Sequence, residues 1–236
     1  MTDIKRQIIG MGDGGINEKY PYLDLYILQQ SLSDNPRVCL LPTASADNKG
    51  LIQHFQQTFG RYQCEPDFLT LFNPHTKDIE DFLMSQDIIY VGGGQTKSML
   101  GIWREWRVDE ILKKAYQNGT ILAGGSAGSV CWFDECITDS IPGELSVMNG
   151  IGILPYSNCP HFRSKERKIA YYRFRSLDKI KDGYAADDYS GLHFINEKWH
   201  QSISLAPELK TYFYGKENGI VKKKSLPTKV ITYESL

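Results

Sequence analysis

The chain has 236 residues, which is enough for one large α/β domain with a sizeable core. Its 41% hydrophobic and 23% charged residues are typical of a globular protein and exclude a disordered or fibrous chain. The 27 basic and 28 acidic side chains nearly cancel, so the charge does not favour a nucleic acid or an anionic membrane as partner, and a small substrate is expected.

The first residues, MTDIKRQIIGMGDGG, lack the apolar stretch of a signal peptide, and no later segment has the apolar length needed to cross a bilayer. We therefore expect a cytoplasmic protein. The five cysteines are odd in number and widely spread, which favours free thiols. Neither they nor the pair Cys159 and His161 match a redox or zinc motif, so no metal or cofactor is expected.

Up to about residue 135, short apolar runs alternate with longer amphipathic ones, which predicts βαβ units around a parallel sheet. The predicted strands are RQIIGMG, RVCLLPTAS, CEPDFLTLF, DIIYVGGG and TILAGG. The predicted helices are YLDLYILQQSL, GLIQHFQQTFGRY, KDIEDFLMS and TKSMLGIWREWRVDEILKKAYQNG, of which the last can be one helix or two. Because the strands are almost wholly apolar, we expect helices on both faces of the sheet.

Beyond residue 135 the alternation weakens. FRSKERKIAYYRFRSLDKIK predicts a basic helix, whereas antiparallel strands are predicted for GYAADDYSGLHFIN, WHQSISLA, KTYFYGKENGIVKKK and TKVITY. These strands are expected to complete the same sheet or to pack against it. No repeat or flexible linker divides the sequence, so we predict a single domain over residues 1–236.

The first predicted strand leads into Gly10, Gly12 and Gly15, which have the spacing of the dinucleotide motif G-x-G-x-x-G. That motif also needs a carboxylate at the end of the second strand, where this chain has LLPTAS. We therefore interpret the glycines as a tight turn that, together with Asp13, borders another pocket.

A second motif, Gly124-Gly125-Ser126-Ala127-Gly128, has the pattern G-x-S-x-G between a predicted strand and a predicted helix, as in a nucleophile elbow. The backbone N–H of Ala127 would then stabilise an oxyanion. The alternative is that Ser126 is only a small residue in a structural turn.

The glycines of VGGGQT end the preceding strand. They are expected at the same sheet edge as Ser126, where Gly93 and Gly94 are candidates for a second oxyanion donor.

A serine nucleophile needs a base, and His161 is the best of the five histidines because it stands in a proline-marked loop downstream of the elbow. The base must in turn be oriented by an acid. Asp187 and Asp188 form a close carboxylate pair in AADDYSG, which can also be read as a solvated turn.

With these residues in the order serine, histidine and aspartate, the chain resembles the serine dipeptidase E family and its cyanophycinase-like relatives, in an uncharacterised bacterial branch. The resemblance rests on IIGMGDGG, LLPTASAD, YVGGGQT, GGSAGS, PHF and AADDYSG. It implies a fold similar to class I glutamine amidotransferases. That fold is a three-layer α/β sandwich with a largely parallel, flavodoxin-like central sheet and, here, C-terminal antiparallel strands.

The resemblance also implies a catalytic role for each residue of the triad. Ser126 would be the nucleophile, His161 the general base, and Asp188 the acid where the family usually has glutamate. The side chain of aspartate is one methylene shorter than that of glutamate and so reaches less far towards His161. The neighbouring Asp187 is therefore kept as a second candidate for the acid.

Further roles follow for the surrounding residues. The N–H groups of Gly94 and Ala127 would form the oxyanion hole. Gln95 stands where the family commonly has asparagine, and Gln95 and Arg163 are candidates for binding substrate.

The sequence therefore predicts a serine-type peptidase that hydrolyses small peptides through an acyl-enzyme, with Asp-X dipeptides as one candidate substrate. Two alternatives are a cyanophycinase-like isopeptide hydrolase and a catalytically silent protein that binds a peptide or metabolite. We expect a small peptide as partner, no nucleic acid, no membrane, no metal or organic cofactor, and a monomer or homodimer.

Overall fold

A computed structural model describes residues 4–232 and Glu234 of the chain. Strands and helices alternate in its first half, as the sequence predicts. The strands are β1 (Gln7–Met11), β2 (Arg37–Leu41), β3 (Glu65–Phe68), β4 (Ile88–Val91) and β5 (Ile121–Gly125). The helices are α1 (Tyr22–Leu28), α2 (Lys49–Phe59), α3 (Ile79–Met84), α4 (Thr96–Glu105), α5 (Val108–Gln117) and α6 (Ala127–Val130), with a short 3₁₀ turn at Thr43–Ser45.

The second half is mostly strands. They are β6 (Phe133–Thr138), β7 (Ser146–Asn149), β8 (Leu154–Cys159), β9 (Gly183–Ala186), β10 (Ser190–Ile195), β11 (Lys198–Ser204), β12 (Thr211–Glu217), β13 (Ile220–Ser225) and β14 (Thr228–Val230). The basic helix is α7 (Lys165–Ser176). The predicted last strand, TKVITY, extends to Tyr233, which lies outside the described residues.

The main sheet has the order β14-β11-β10-β1-β5-β4-β2-β3. The five strands of the first half are parallel to one another, whereas β10 pairs antiparallel with β1 and β11 pairs antiparallel with β10. The predicted largely parallel central sheet with C-terminal antiparallel strands is thus confirmed.

A second sheet has the order β13-β12-β9-β8-β6-β7. The C-terminal strands were expected to complete the main sheet or to pack against it, and they divide between the two sheets. Strands β10, β11 and β14 complete the main sheet, while β9, β12 and β13 belong to the second. Strands β6, β7 and β8 were not predicted. Their apolar pattern is interrupted by polar side chains, and Ser157 and Asn158 of β8 are nevertheless fully buried.

Successive residues of the central strands point to opposite faces of the main sheet. On one face, Ile8 packs in a core with α4 and α5; on the other, Ile9 packs in a core with α1 and α2. The sheet is therefore covered on both faces, which explains why its strands are almost wholly apolar.

Where β1, β4 and β5 end, the chain forms three loops at one edge of the main sheet. They hold the glycine turn of Gly12–Ile16, the glycines of Gly92–Gly94, and Ser126. In parallel sheets this carboxyl edge is where ligands bind. In the described part of the chain, no helix has the length and apolar character needed to cross a membrane.

Candidate active site

Ser126 occupies the sharp turn between β5 and α6. Its backbone has φ 54° and ψ −115°, a conformation that costs a residue with a Cβ atom on the order of 1–3 kcal/mol. The turn is held from both sides: the N–H of Ser126 donates to the carbonyl of Met11 at 3.2 Å, and its carbonyl accepts from the N–H of Ser129 and of Val130. This is the geometry of a nucleophile elbow.

The two outer glycines of the motif are required by close packing. A Cβ atom on Gly124 or on Gly128 would overlap the carbonyl oxygen of Val91, the last residue of β4. Any larger residue would push α6 away from the sheet and move Ser126 with it. The glycines therefore set the position of the serine.

His161 connects Ser126 to Asp188. Its Nε2 lies 2.8 Å from Ser126 Oγ, and its Nδ1 lies 2.6 Å from Asp188 Oδ1. Because an ionised carboxylate only accepts hydrogen bonds, the proton of the neutral ring belongs on Nδ1, which leaves Nε2 to accept from the serine hydroxyl. The His161 and Asp188 side chains are 29% and 36% exposed, so the site is open to a substrate.

The loops that carry His161 and Asp188 are tied together by backbone hydrogen bonds. Phe162 N–H donates to the carbonyl of Ala186 at 3.0 Å, which joins the histidine loop to the end of β9. Tyr189 N–H donates to the carbonyl of Asp13 at 2.9 Å, which joins the acid turn to the loop after β1. These bonds bring three separate loops to one place.

Asp187 lies beside Asp188 in sequence but is held elsewhere. Its side chain is buried, and Oδ2 accepts from the backbone N–H of Lys210 at 3.0 Å. Burial raises the pKa of Asp187, although the hydrogen bond from Lys210 opposes this. The contact to His161 is therefore made by Asp188, and the catalytic role of Asp188 stays a prediction.

The oxyanion donors are placed by two elements. Ala127 is the first residue of α6, and the N–H groups of a first helical turn have no acceptor within the helix. A Cβ atom on Gly93 would lie 3.6 Å from the Cβ of Ser126, whereas one on Gly94 would meet the backbone of Ala44. Gly93 thus packs against the serine side chain, and the assignment of Gly94 as second donor stays a prediction.

Gln95, a candidate for binding substrate, uses both ends of its amide within the protein. Its Oε1 accepts from Ser98 N–H at 3.1 Å as the cap of α4, and its Nε2 donates to the carbonyl of Ser140 at 2.5 Å. A substrate contact would have to compete with these bonds. The role predicted for Gln95 therefore gains no support from its contacts.

Arg163 is exposed two residues after His161, and its charge opposes the rise that burial causes in the pKa of the Asp187 carboxyl. Two other arginines of this region have structural partners. Arg167 pairs with Asp139, and Arg175 pairs with Asp178 and Asp182. Arg163 is the better placed of these three to meet a substrate carboxylate, which also stays a prediction.

A cavity of about 310 Å³ opens beside the elbow, with Gly93 and Gly125 in its wall. Its other lining residues include Asp13, Leu51, His54 and Tyr90. The ring Nε2–H of His54 in α2 donates to the carbonyl of Ile16 at 2.9 Å, so this histidine holds the loop that forms the cavity wall. The helical position of His54 gave no signal of this contact.

The same loop is anchored by Asp24, which is fully buried in α1. The carboxylate accepts from the backbone N–H groups of Ile16 and Asn17, at 3.0 and 3.1 Å, and from the hydroxyl of Tyr90 at 3.3 Å. Burial raises the pKa of Asp24 to about 6, against the opposing effect of these bonds.

We expect the contribution of Asp24 to the free energy of unfolding to become more favourable as the pH falls from about 6 towards 4. In this range the folded state takes up a proton that the unfolded state does not, so the cost of burying the charge is removed. Between pH 7 and pH 4.5, the free energy of unfolding of the wild type should gain about 2 kcal/mol relative to Asp24→Asn. Urea denaturation of both proteins at the two pH values measures this difference, and an unchanged difference would contradict the raised pKa.

Asp13, His161 and Asp188 also form a group that could hold a metal ion, since one ligand atom from each lies within 4.8 Å of the others. Both ring nitrogens of His161 are already engaged, one by Ser126 and one by Asp188. A metal would have to displace one of these partners. The arrangement is therefore better suited to moving a proton than to binding a cation through the ring.

Comparisons with known proteins place this geometry in context. The sequence profile of peptidase family S51 matches residues 8–202. A Bacillus subtilis (strain 168) protein named "Uncharacterized peptidase YgaJ" is 45% identical over 210 residues, which is 88% of this chain and 91% of that protein. The crystal structure of a peptidase from an acI-B1 Actinobacterium has a TM-score of 0.73 at 15% identity, covers 98% of both chains, and confirms the fold.

Proposed function

Since the chain belongs to peptidase family S51 and is a serine peptidase, we propose that it hydrolyses small peptides through an acyl-enzyme on Ser126. The observation that carries the proposal is the continuous contact from Ser126 through His161 to Asp188. A structural turn would need the glycines but not this chain of hydrogen bonds.

In the first half of the reaction, Ser126 Oγ attacks the carbonyl carbon of the scissile peptide bond while its proton moves to His161 Nε2. Asp188 stabilises the imidazolium through Nδ1–H. The negative charge on the substrate oxygen is stabilised by the N–H of Ala127 and by a second N–H from Gly93 or Gly94. His161 then gives its proton to the leaving amine, and the C–N bond breaks.

In the second half, water attacks the acyl-enzyme. His161 accepts a proton from this water and returns it to Ser126 Oγ, so that the acid is released and the serine is regenerated.

The substrate is a small peptide in this proposal. Asp-X dipeptides remain one candidate, which the family resemblance and the exposed Arg163 support. A panel of dipeptides with acidic, neutral and basic first residues, assayed for released amino acids, tests that preference.

Labelling with an alkyl fluorophosphonate tests the nucleophile directly. We expect the wild type to be labelled once and Ser126→Ala not at all, because the reagent forms a bond with an activated serine oxygen. Ser129→Ala is the matched control, since Ser129 lies in the same short helix but its hydroxyl contacts the buried Asn158 instead. A folded wild type that resists labelling would contradict the proposal and favour a silent binding protein.

A further inference from the structure

Tyr189 is an exposed aromatic residue beside the predicted triad. It follows Asp188 directly in the chain, and 41% of its surface is exposed. The other residues that adjoin a member of the triad in sequence are all buried, namely Gly125, Ala127, Pro160, Phe162 and Asp187. Of these six sequence neighbours, Tyr189 alone therefore offers an apolar surface to a ligand.

The backbone and a neighbouring glycine hold the Tyr189 ring in place. The residue has φ 60°, which is uncommon for a bulky side chain. Its N–H donates to the carbonyl of Asp13 at 2.9 Å, and its carbonyl accepts from the N–H of Leu205 at 3.0 Å. The ring lies against Gly14, because a Cβ atom on that glycine would overlap it. Backbone strain of this kind is concentrated at functional sites.

The hydroxyl of Tyr189 does not anchor the ring. Among the residues that the structure describes, none forms a hydrogen bond with this hydroxyl. The hydroxyls of the buried Tyr90 and Tyr171, by contrast, are each hydrogen-bonded to a buried side chain. The exposed surface of the Tyr189 ring is therefore free to pack against another aromatic or apolar group.

The chemistry of the triad indicates which part of a peptide lies beside this ring. His161 must protonate the leaving amine, so the leaving residue lies on the histidine side of Ser126. The carbonyl oxygen of the scissile bond is directed instead towards the N–H of Ala127. Tyr189 is on the histidine side, because it is covalently joined to Asp188, whose Oδ1 lies 2.6 Å from the Nδ1 of His161.

We propose that the Tyr189 ring packs against the side chain of the leaving residue, so that the enzyme prefers small peptides in which the residue after the scissile bond is aromatic or bulky and apolar. Tyr189 thus determines specificity and takes no part in bond making or breaking. The inference rests on the proposed function, because it takes Ser126 as the nucleophile and His161 as the proton donor.

The test uses dipeptides that share the best first residue of the panel and carry glycine, alanine, leucine or phenylalanine as the second. We expect kcat/KM of the wild type to rise about 10- to 30-fold from glycine to phenylalanine, because the larger side chain buries apolar surface against Tyr189. Tyr189→Ala should reduce this ratio to about two- or threefold, whereas Tyr189→Phe, which retains the ring, should keep it.

Two controls separate substrate recognition from damage to the triad. The methyl ester of the same first residue gives the same acyl-enzyme but releases methanol, so its hydrolysis reports on the triad without a leaving residue. Peptide rates divided by the ester rate are then free of any general loss. Tyr172→Ala is the matched substitution, because Tyr172 is also an exposed tyrosine, on helix α7, and it should keep the wild-type ratio.

Three results would overturn the inference: a wild-type kcat/KM that does not depend on the second residue, an unchanged phenylalanine-to-glycine ratio in Tyr189→Ala, or cleavage of none of the dipeptides. In each case the alkyl fluorophosphonate, which carries no leaving residue, still labels the wild type at Ser126. If that labelling also fails, it is the proposed function that is wrong.

Discussion

Replacing His161 with alanine is expected to lower kcat by a factor on the order of 10⁴ to 10⁶. Without the imidazole, no group accepts the Ser126 proton at 2.8 Å, and none returns a proton to the leaving amine. The measurement is turnover of the best dipeptide from the panel, with folding checked by circular dichroism.

The control for this prediction is His75→Ala. His75 is exposed and packs against Phe68 and Phe82, away from the serine, so its loss should leave kcat within about twofold of the wild type.

Combining Ser126→Ala with His161→Ala should lower kcat no more than either change alone, because the two residues act as a unit. Turnover close to the wild-type rate in folded His161→Ala would show that another group is the base.

Replacing Asp188 with asparagine is expected to lower kcat by a factor on the order of 10³ to 10⁴. An amide can donate a hydrogen to Nδ1, which favours the tautomer with its proton on Nε2, and that tautomer cannot accept from Ser126. The substrate KM should change little, because Asp188 Oδ1 contacts the histidine.

Asp187→Asn separates the two neighbouring acids. Asp187 is buried against the backbone of Lys210, and an asparagine oxygen can still accept that N–H. We therefore expect kcat within about threefold of the wild type, with any change appearing in stability. If Asp187→Asn were the inactive variant and Asp188→Asn the active one, the assignment of the acid would be reversed.

The parallel half of the fold could be predicted because each strand is a continuous apolar run and each helix has its own apolar face. The nucleophile elbow could also be predicted, because Ser126 and the glycines that flank it lie within one short stretch of the sequence. The strands β6 and β8 could not be predicted in this way. They pair with each other and with the neighbouring β7 and β9 in the second sheet, and the buried polar side chains of Ser157 and Asn158 interrupt the apolar pattern of β8.

The sequence could not decide between Asp187 and Asp188 either, because strand pairing determines which of the two faces His161. Neighbouring residues that follow a strand point in different directions, so only one of the two is expected to face the histidine. Which one does so is decided by β9, whose pairing with β12 holds Asp187 against Lys210. Asp13 was expected to border a pocket, but its approach to His161 depends on the contact between its loop and Tyr189.

The chain passes from the second sheet to the main sheet through Asp187, Asp188 and Tyr189, between β9 and β10. Ser126 follows a strand of the main sheet and His161 follows a strand of the second, so the three residues of the predicted triad meet where the two separately hydrogen-bonded sheets adjoin. A small slip of one sheet against the other would break the hydrogen bond between His161 and Ser126 without unfolding either sheet. If Ser126 and His161 act as proposed, we expect catalytic turnover to fall whenever the two sheets lose their contact, even while each sheet stays folded.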